Sequence, residues 1–108
     1  MSRLLLSGVL AAAALIGAAA TAPAPPAAVK IGNFTFGPRE LVVRPGAVVT
    51  WTNEDDTPHT VVAMDGSFRS RPLDTGESFA FTFTRPGAYA YFCSLHPMMT
   101  GKVVVKAD

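Results

Sequence analysis

The segment Cys93-Ser94-Leu95-His96-Pro97-Met98-Met99 places one thiol, one imidazole and two thioethers within a single short stretch of chain. Cys93 is the only cysteine of the 108 residues, and the other histidine of the chain, His59, lies well upstream of it. One thiolate, two imidazoles and a weakly bound methionine sulfur form the ligand set of a mononuclear copper site for electron transfer. We therefore predict that His59, Cys93, His96 and one of the two adjacent methionines bind one copper ion.

A loop between two strands can supply most of these ligands. Cys93 ends one predicted strand and the next is expected to begin near Gly101, so the residues between them can fold around one ion. Pro97 stiffens the loop directly after His96. His59 belongs to a distant segment, and only a folded domain can bring it close to Cys93. The alternative is that Cys93 is an inert core thiol and that His59 is an ordinary loop histidine.

On both sides of this loop, the chain consists of short β-branched and aromatic segments separated by Gly and Pro turns. No segment after the N-terminal region shows the period of an α-helix over three turns. Residues 78–84 alternate strictly, which places Phe79, Phe81 and Phe83 on one face as predicted core. Seven or eight such strands predict an all-β fold, a two-sheet antiparallel β-sandwich with Greek-key connections.

The N-terminal region has the composition of an export signal. Arg3 precedes an apolar run, and small residues lead up to a predicted cleavage site after Ala20. We predict a signal peptide at residues 1–20, a Pro/Ala-rich spacer at 21–28 and one domain at 29–108. The domain is expected in the periplasm, or otherwise exported through the cleaved signal peptide, and a retained N-terminal anchor is the alternative. Because an unpaired thiol in an oxidising compartment is prone to oxidation, export favours a metal-bound Cys93.

The charge of the chain excludes some classes of partner. Nine basic and eight acidic residues become equal in number once residues 1–20, which contain Arg3, are removed. This balance favours neither nucleic acid nor an anionic membrane surface as a partner. The apolar run from Leu4 to about Ala20 is shorter than the roughly 20 residues that span a bilayer, so we do not expect an integral membrane protein. We expect a monomer.

Several motifs then follow one another in the order known from one protein family. They are Pro45-Gly46, Trp51-Thr52-Asn53, Pro58-His59-Thr60-Val61, Phe81-Thr82-Phe83, Pro86-Gly87-Ala88-Tyr89 and the segment from Cys93 to Val105. In these residues the chain resembles the cupredoxins, the type 1 or blue copper proteins. The resemblance runs from about Val29 to Lys106, is strongest to the small plastocyanin-, pseudoazurin- and amicyanin-like members, and is closest to the amicyanins.

The resemblance implies roles for individual residues. His59, Cys93 and His96 are implied as the equatorial copper ligands and Met99 as the axial one. Around them, Asn53 is implied to tie the two ligand segments together through Ser94 or the backbone near it. Pro97 and Met98 are implied to lie in the apolar surface where partners dock, and Tyr89 to be a corner tyrosine.

Function follows as an expectation from this site. We predict an exported carrier of single electrons, not an enzyme, whose partners are redox proteins such as a c-type cytochrome or a periplasmic oxidoreductase. The alternative on the same fold is a copper storage or delivery protein, although such proteins are usually richer in Met and His. The acidic segment Glu54-Asp55-Asp56 is interpreted as a solvated loop, or else as a negatively charged surface that attracts a basic redox partner.

Overall fold

The computed structural model describes residues 23–107, which contain eight strands and no helix. The predicted signal peptide and the first residues of the predicted spacer lie outside this range. The strands are β1 (Ala27–Gly32), β2 (Thr35–Gly37), β3 (Glu40–Val43), β4 (Ala47–Asn53), β5 (Val62–Ala63), β6 (Ser78–Phe83), β7 (Gly87–Cys93) and β8 (His96–Val105). Within the described range, no helix is long and apolar enough to cross a membrane.

The strands form two sheets of four, in the orders β2-β1-β4-β6 and β3-β8-β7-β5. The predicted two-sheet β-sandwich is therefore confirmed. Its sheets are mixed rather than wholly antiparallel, because β1 pairs with β4 and β3 pairs with β8 in parallel. Short turns in a sequence indicate antiparallel hairpins, whereas both parallel pairs join strands that are separated along the chain.

The first strand begins inside the predicted spacer. Ala27 already pairs with Val49 of β4, so regular structure starts two residues before the predicted domain boundary at residue 29. A Pro/Ala-rich composition indicates an extended backbone, but it carries no information on whether that backbone finds a partner strand.

The core lies between the sheets and is centred on Trp51 and Tyr91, both of them fully buried. The predicted aromatic stripe packs here, since Phe83 is buried and the rings of Phe79 and Phe83 lie beside Trp51. Tyr89 donates a hydrogen bond of 2.6 Å to the carbonyl of Arg85, as expected of a corner tyrosine. These contacts hold the two sheets at a fixed separation beneath the end that carries the histidines.

The last strand begins earlier than predicted. Only Ser94 and Leu95 separate β7 from β8, and Cys93 pairs with His96 in the sheet register. The prediction of an outgoing strand near Gly101 was wrong, because a proline directly after His96 favours a loop in the sequence pattern. Phe92 pairs with Thr100 but Cys93 pairs with His96, so Pro97 lies in a β-bulge between these two pairs, where proline is tolerated.

Candidate metal centre

Three of the predicted ligands meet at one end of the sandwich. Their candidate ligand atoms, the Sγ atom of Cys93 and ring nitrogens of His59 and His96, all lie within 4.8 Å of one another. The Cys93 Sγ is 3.7 Å from the Nδ1 atom of each histidine. Cys93 ends β7 and His96 begins β8, whereas His59 comes from the segment before β5.

The spacing of these atoms fits a common metal ion. Metal–nitrogen bonds of about 2.0 Å and metal–sulfur bonds of about 2.3 Å, at an angle of about 120°, separate the two ligand atoms by about 3.7 Å. A thiolate with two imidazoles suits both Cu(I) and Cu(II), because sulfur favours the first and imidazole accepts either. The donor set and its spacing therefore fit copper.

The strand geometry distinguishes the two methionines. Side chains alternate across a strand, and in β8 Met99 is buried while Met98 is 96% exposed. Only Met99 therefore has its thioether inside the protein. The two methionines could not be separated by composition, but their positions on opposite faces of β8 separate them.

The histidines differ in burial. His59 and Cys93 are both fully buried, whereas His96 is partly exposed. Around His96, the apolar side chains of Phe34, Leu95 and Met98 are all exposed. The His96 ring is thus the part of the ligand set nearest to solvent.

Thr60 joins the two ligand segments. Its N–H donates to the Cys93 Sγ over 3.4 Å, and its hydroxyl lies 3.8 Å from the same sulfur. The Thr60 hydroxyl also accepts the N–H of Ser94 over 2.7 Å and lies 2.7 Å from the Ser94 hydroxyl. Hydrogen bonds to the sulfur stabilise the thiolate and fix its position.

Asn53 has a different role from the one expected. Its amide donates to the carbonyls of Thr57 and Leu73, each over 2.9 Å, and accepts the N–H of Asp55. The expected bond from Asn53 to the Ser94 region was wrong, because this amide is already engaged within its own loop. Leu73 in turn exchanges two backbone hydrogen bonds with His59, so Asn53 braces the segment that carries His59.

Asp55 orients His59. The Nε2 atom of His59 lies 2.9 Å from the Asp55 Oδ2 atom, and a carboxylate in that position requires Nε2 to carry the proton. Nδ1 then keeps its lone pair on the side of Cys93, as a metal ligand requires. The pKa of Asp55 is held below its ordinary value, chiefly by the N–H of Phe34 and then by the N–H of Asn33 and by His59.

Sequence reasoning missed Asp55 and Phe34 as parts of the site. The run of three acids predicts a solvated loop, yet the side chain of Asp55 is only 14% exposed and faces His59. An acid four residues before a candidate histidine ligand was a signal that could have found it. Phe34 lies with its ring edge-on to both imidazoles, at centroid distances of 5.2 Å from His59 and 4.9 Å from His96. No local pattern indicated that contact.

Comparison with known proteins places this geometry in a family. Residues 26–106 match the sequence profile described as copper binding proteins of the plastocyanin/azurin family. The chain belongs to that family. Copper is therefore the metal of this site, in agreement with the donor set that the fold assembles.

Individual relatives agree with the family match. The chain is 36% identical to amicyanin-alpha of Methylorubrum extorquens over 88% of its own length and 84% of the relative's. It is 35% identical to the amicyanin of Paracoccus versutus over 82% of this chain and 71% of the relative. Among solved structures, a purple cupredoxin from Nitrosopumilus maritimus superimposes with a TM-score of 0.72 at 35% identity, covering 74% of this chain and 99% of that one. The predicted resemblance to the cupredoxins is confirmed.

Proposed function

We propose that this protein is an exported electron carrier that holds one copper ion and passes single electrons between redox proteins. The observation that carries the proposal is the convergence of His59, Cys93 and His96 at one end of the sandwich, with two of the three fully buried. A buried and braced ligand set changes little when the charge of the ion changes, which keeps the barrier to electron transfer small. In this proposal the protein carries electrons and catalyses no reaction of its own.

The proposed ligands are His59, Cys93 and His96 in the equatorial positions and Met99 in the axial position. Copper supplies the one-electron exchange between its Cu(I) and Cu(II) states. The chain holds the ligands in place: Thr60 donates to the Cys93 sulfur, and Asp55 fixes the proton of His59 on Nε2. Ser94 and Asn53 brace the two segments from outside the ligand set.

Met99→Leu is expected to raise the reduction potential of the copper-loaded protein clearly, while Met98→Leu leaves it nearly unchanged. A thioether stabilises Cu(II) more than a hydrocarbon does, and only Met99 is buried on the inner face of β8. The two substitutions remove the same atoms from adjacent residues, so each is the control for the other. Cyclic voltammetry measures both potentials, and the opposite ordering would reassign the axial ligand to Met98.

We place partner docking on the apolar surface around His96, which includes Pro97 and Met98. An apolar surface around a partly exposed ligand ring lets a partner approach the metal closely and leave again quickly. The proposed partners are a c-type cytochrome or a periplasmic oxidoreductase. The charged residues Glu54 and Asp56 are both exposed on the loop that leads to His59 and can steer a basic partner toward this end.

Electron exchange of the copper-loaded protein tests the proposed function. Addition of ascorbate should bleach the visible band and ferricyanide should restore it, with self-exchange measurable by NMR line broadening. Met98→Lys should slow self-exchange without moving the band, because the new charge must be desolvated in each encounter. Rapid loss of copper to a metal-free acceptor, together with slow self-exchange in the native protein, would favour storage or delivery instead.

Export is proposed on the sequence alone. Residues 1–20 are proposed as a cleaved signal peptide, residues 21–28 as the start of the mature chain and residues 29–108 as the copper domain, with the periplasm as its compartment. An unpaired thiol that is fully buried and held beside two imidazoles suits such an oxidising compartment.

A further inference from the structure

The turn between β1 and β2 has an unusual backbone for its residues. Asn33 and Phe34 form a two-residue connection with φ angles of 52° and 57°, and Gly32 pairs with Thr35 across it. Hairpin turns with two positive φ angles favour Asn at the first position and Gly at the second. Phe34 occupies the position where glycine is favoured, and for a bulky side chain this left-handed conformation is strained.

A carboxylate from another loop stabilises this turn. The Asp55 Oδ1 atom accepts the N–H of Asn33 over 2.6 Å, and its Oδ2 atom accepts the N–H of Phe34 over 2.9 Å. The same Oδ2 atom lies 2.9 Å from the His59 Nε2 atom. The backbone of the turn and the orientation of His59 are thus fixed by one group.

The strained backbone places the phenyl ring over the ligand set. The ring meets both imidazoles edge-on, with interplanar angles of 86° for His59 and 87° for His96. Phe34 is nevertheless 47% exposed, so one side of it faces solvent. Backbone strain persists where the surrounding structure requires it, and such strain is concentrated at functional sites.

We propose that Phe34 is a positioning residue of this centre, a fixed aromatic cover that excludes water from the two imidazoles and holds their rings in place. The effect on copper rests on the function proposed above, whereas the effect on the imidazoles does not. With the cover in place, the centre favours Cu(I), because excluding water destabilises the more highly charged Cu(II) state.

Two substitutions separate the cover from the strain. Phe34→Gly and Phe34→Ala both remove the ring, but only glycine relieves the left-handed backbone. In the metal-free protein, the melting temperature of the Gly variant should exceed that of the Ala variant by about 4 °C or more. At a position with negative φ, alanine is normally the more stable of the two. In both variants, acylation of His59 by diethyl pyrocarbonate should be about tenfold faster than in the native protein, as followed by peptide mass spectrometry.

With copper bound, both variants should have a lower reduction potential than the native protein, because water reaches the ligand rings. They should also lose copper to a chelator about tenfold faster, because two edge contacts with the imidazoles are gone. Met64→Ala removes an exposed apolar side chain just after β5 and serves as the control, with native values expected throughout.

Native His59 acylation rates and a native potential in both Phe34 variants would overturn the proposal. If the Ala variant melts above the Gly variant, the backbone at residue 34 is not strained, and the proposal loses its basis. The metal-free measurements keep this test separate from the proposed function. A native protein without the intense visible band would contradict electron transfer through a blue copper centre, while faster acylation of His59 would still establish the cover.

Discussion

Cys93→Ser is expected to leave the protein folded and to abolish the intense visible absorption of its copper-loaded form. The band comes from charge transfer between a thiolate and Cu(II), and Cys93 is the only thiol of the chain. Serine is close to cysteine in size, so the fully buried site needs no repacking. The serine hydroxyl can also keep the hydrogen bond from the Thr60 N–H.

Absorption spectra of the copper-loaded variant and circular dichroism of its metal-free form measure the two effects separately. Met98→Leu is the matched control, because it removes an exposed sulfur from the same segment and should leave the band intact. A Cys93→Ser variant that stayed intensely coloured would remove Cys93 from the ligand set, and with it the proposed electron carrier.

Gly101→Ala is expected to lower the free energy of unfolding by about 3 kcal/mol, as overpacking of a well-packed core does. A Cβ atom at residue 101 would overlap the Cζ and hydroxyl of Tyr91 and lie 2.9 Å from its Cε1. The Tyr91 ring cannot move aside, because it is fully buried and lies edge-on to Phe36 and Trp51. The expected loss of stability is therefore caused by a steric overlap in the core beneath the metal centre.

Urea unfolding of the metal-free protein measures this loss. Gly32→Ala is the control, because an added Cβ there has no neighbour within 4 Å, and its stability should stay within about 0.5 kcal/mol of the native value. The double variant with Tyr91→Leu and Gly101→Ala should lose less free energy of unfolding than the sum of the losses of the two single variants, since the smaller side chain removes the overlap. Equal stability of the Gly101→Ala variant and the native protein would show that Tyr91 does not pack against β8 in this way.

Much of the site was accessible from local sequence. Few residue types bind copper through soft donors, and the chain has one cysteine and two histidines, so His59, Cys93 and His96 stood out before any fold was known. The alternation of Phe79, Phe81 and Phe83 likewise indicated a strand with one buried face. These features can be found without knowledge of distant contacts, because they depend on side-chain chemistry or on the alternation of side chains along a strand.

The choice of Met99 over Met98 required one more step. Both thioethers lie close to His96 in sequence, and a loop would have let either one turn inward. From Met98 onward, β8 buries every second residue, which places Met99 inside with Gly101 and Val103 and leaves Met98 exposed. The family resemblance implied the same choice, but the strand provides its physical cause.

By itself, then, the sequence determined the donor atoms and the strand character of the chain. Only the tertiary structure decided how Asp55, Phe34 and Thr60 surround those donors. The parallel pairing of β1 with β4 sets Ile31 opposite Asn53, and two residues further on Asn33 and Asp55 therefore meet. A shift of one residue in that register would separate the carboxylate from the turn, and register is set by packing across the whole sheet rather than by residues near either segment.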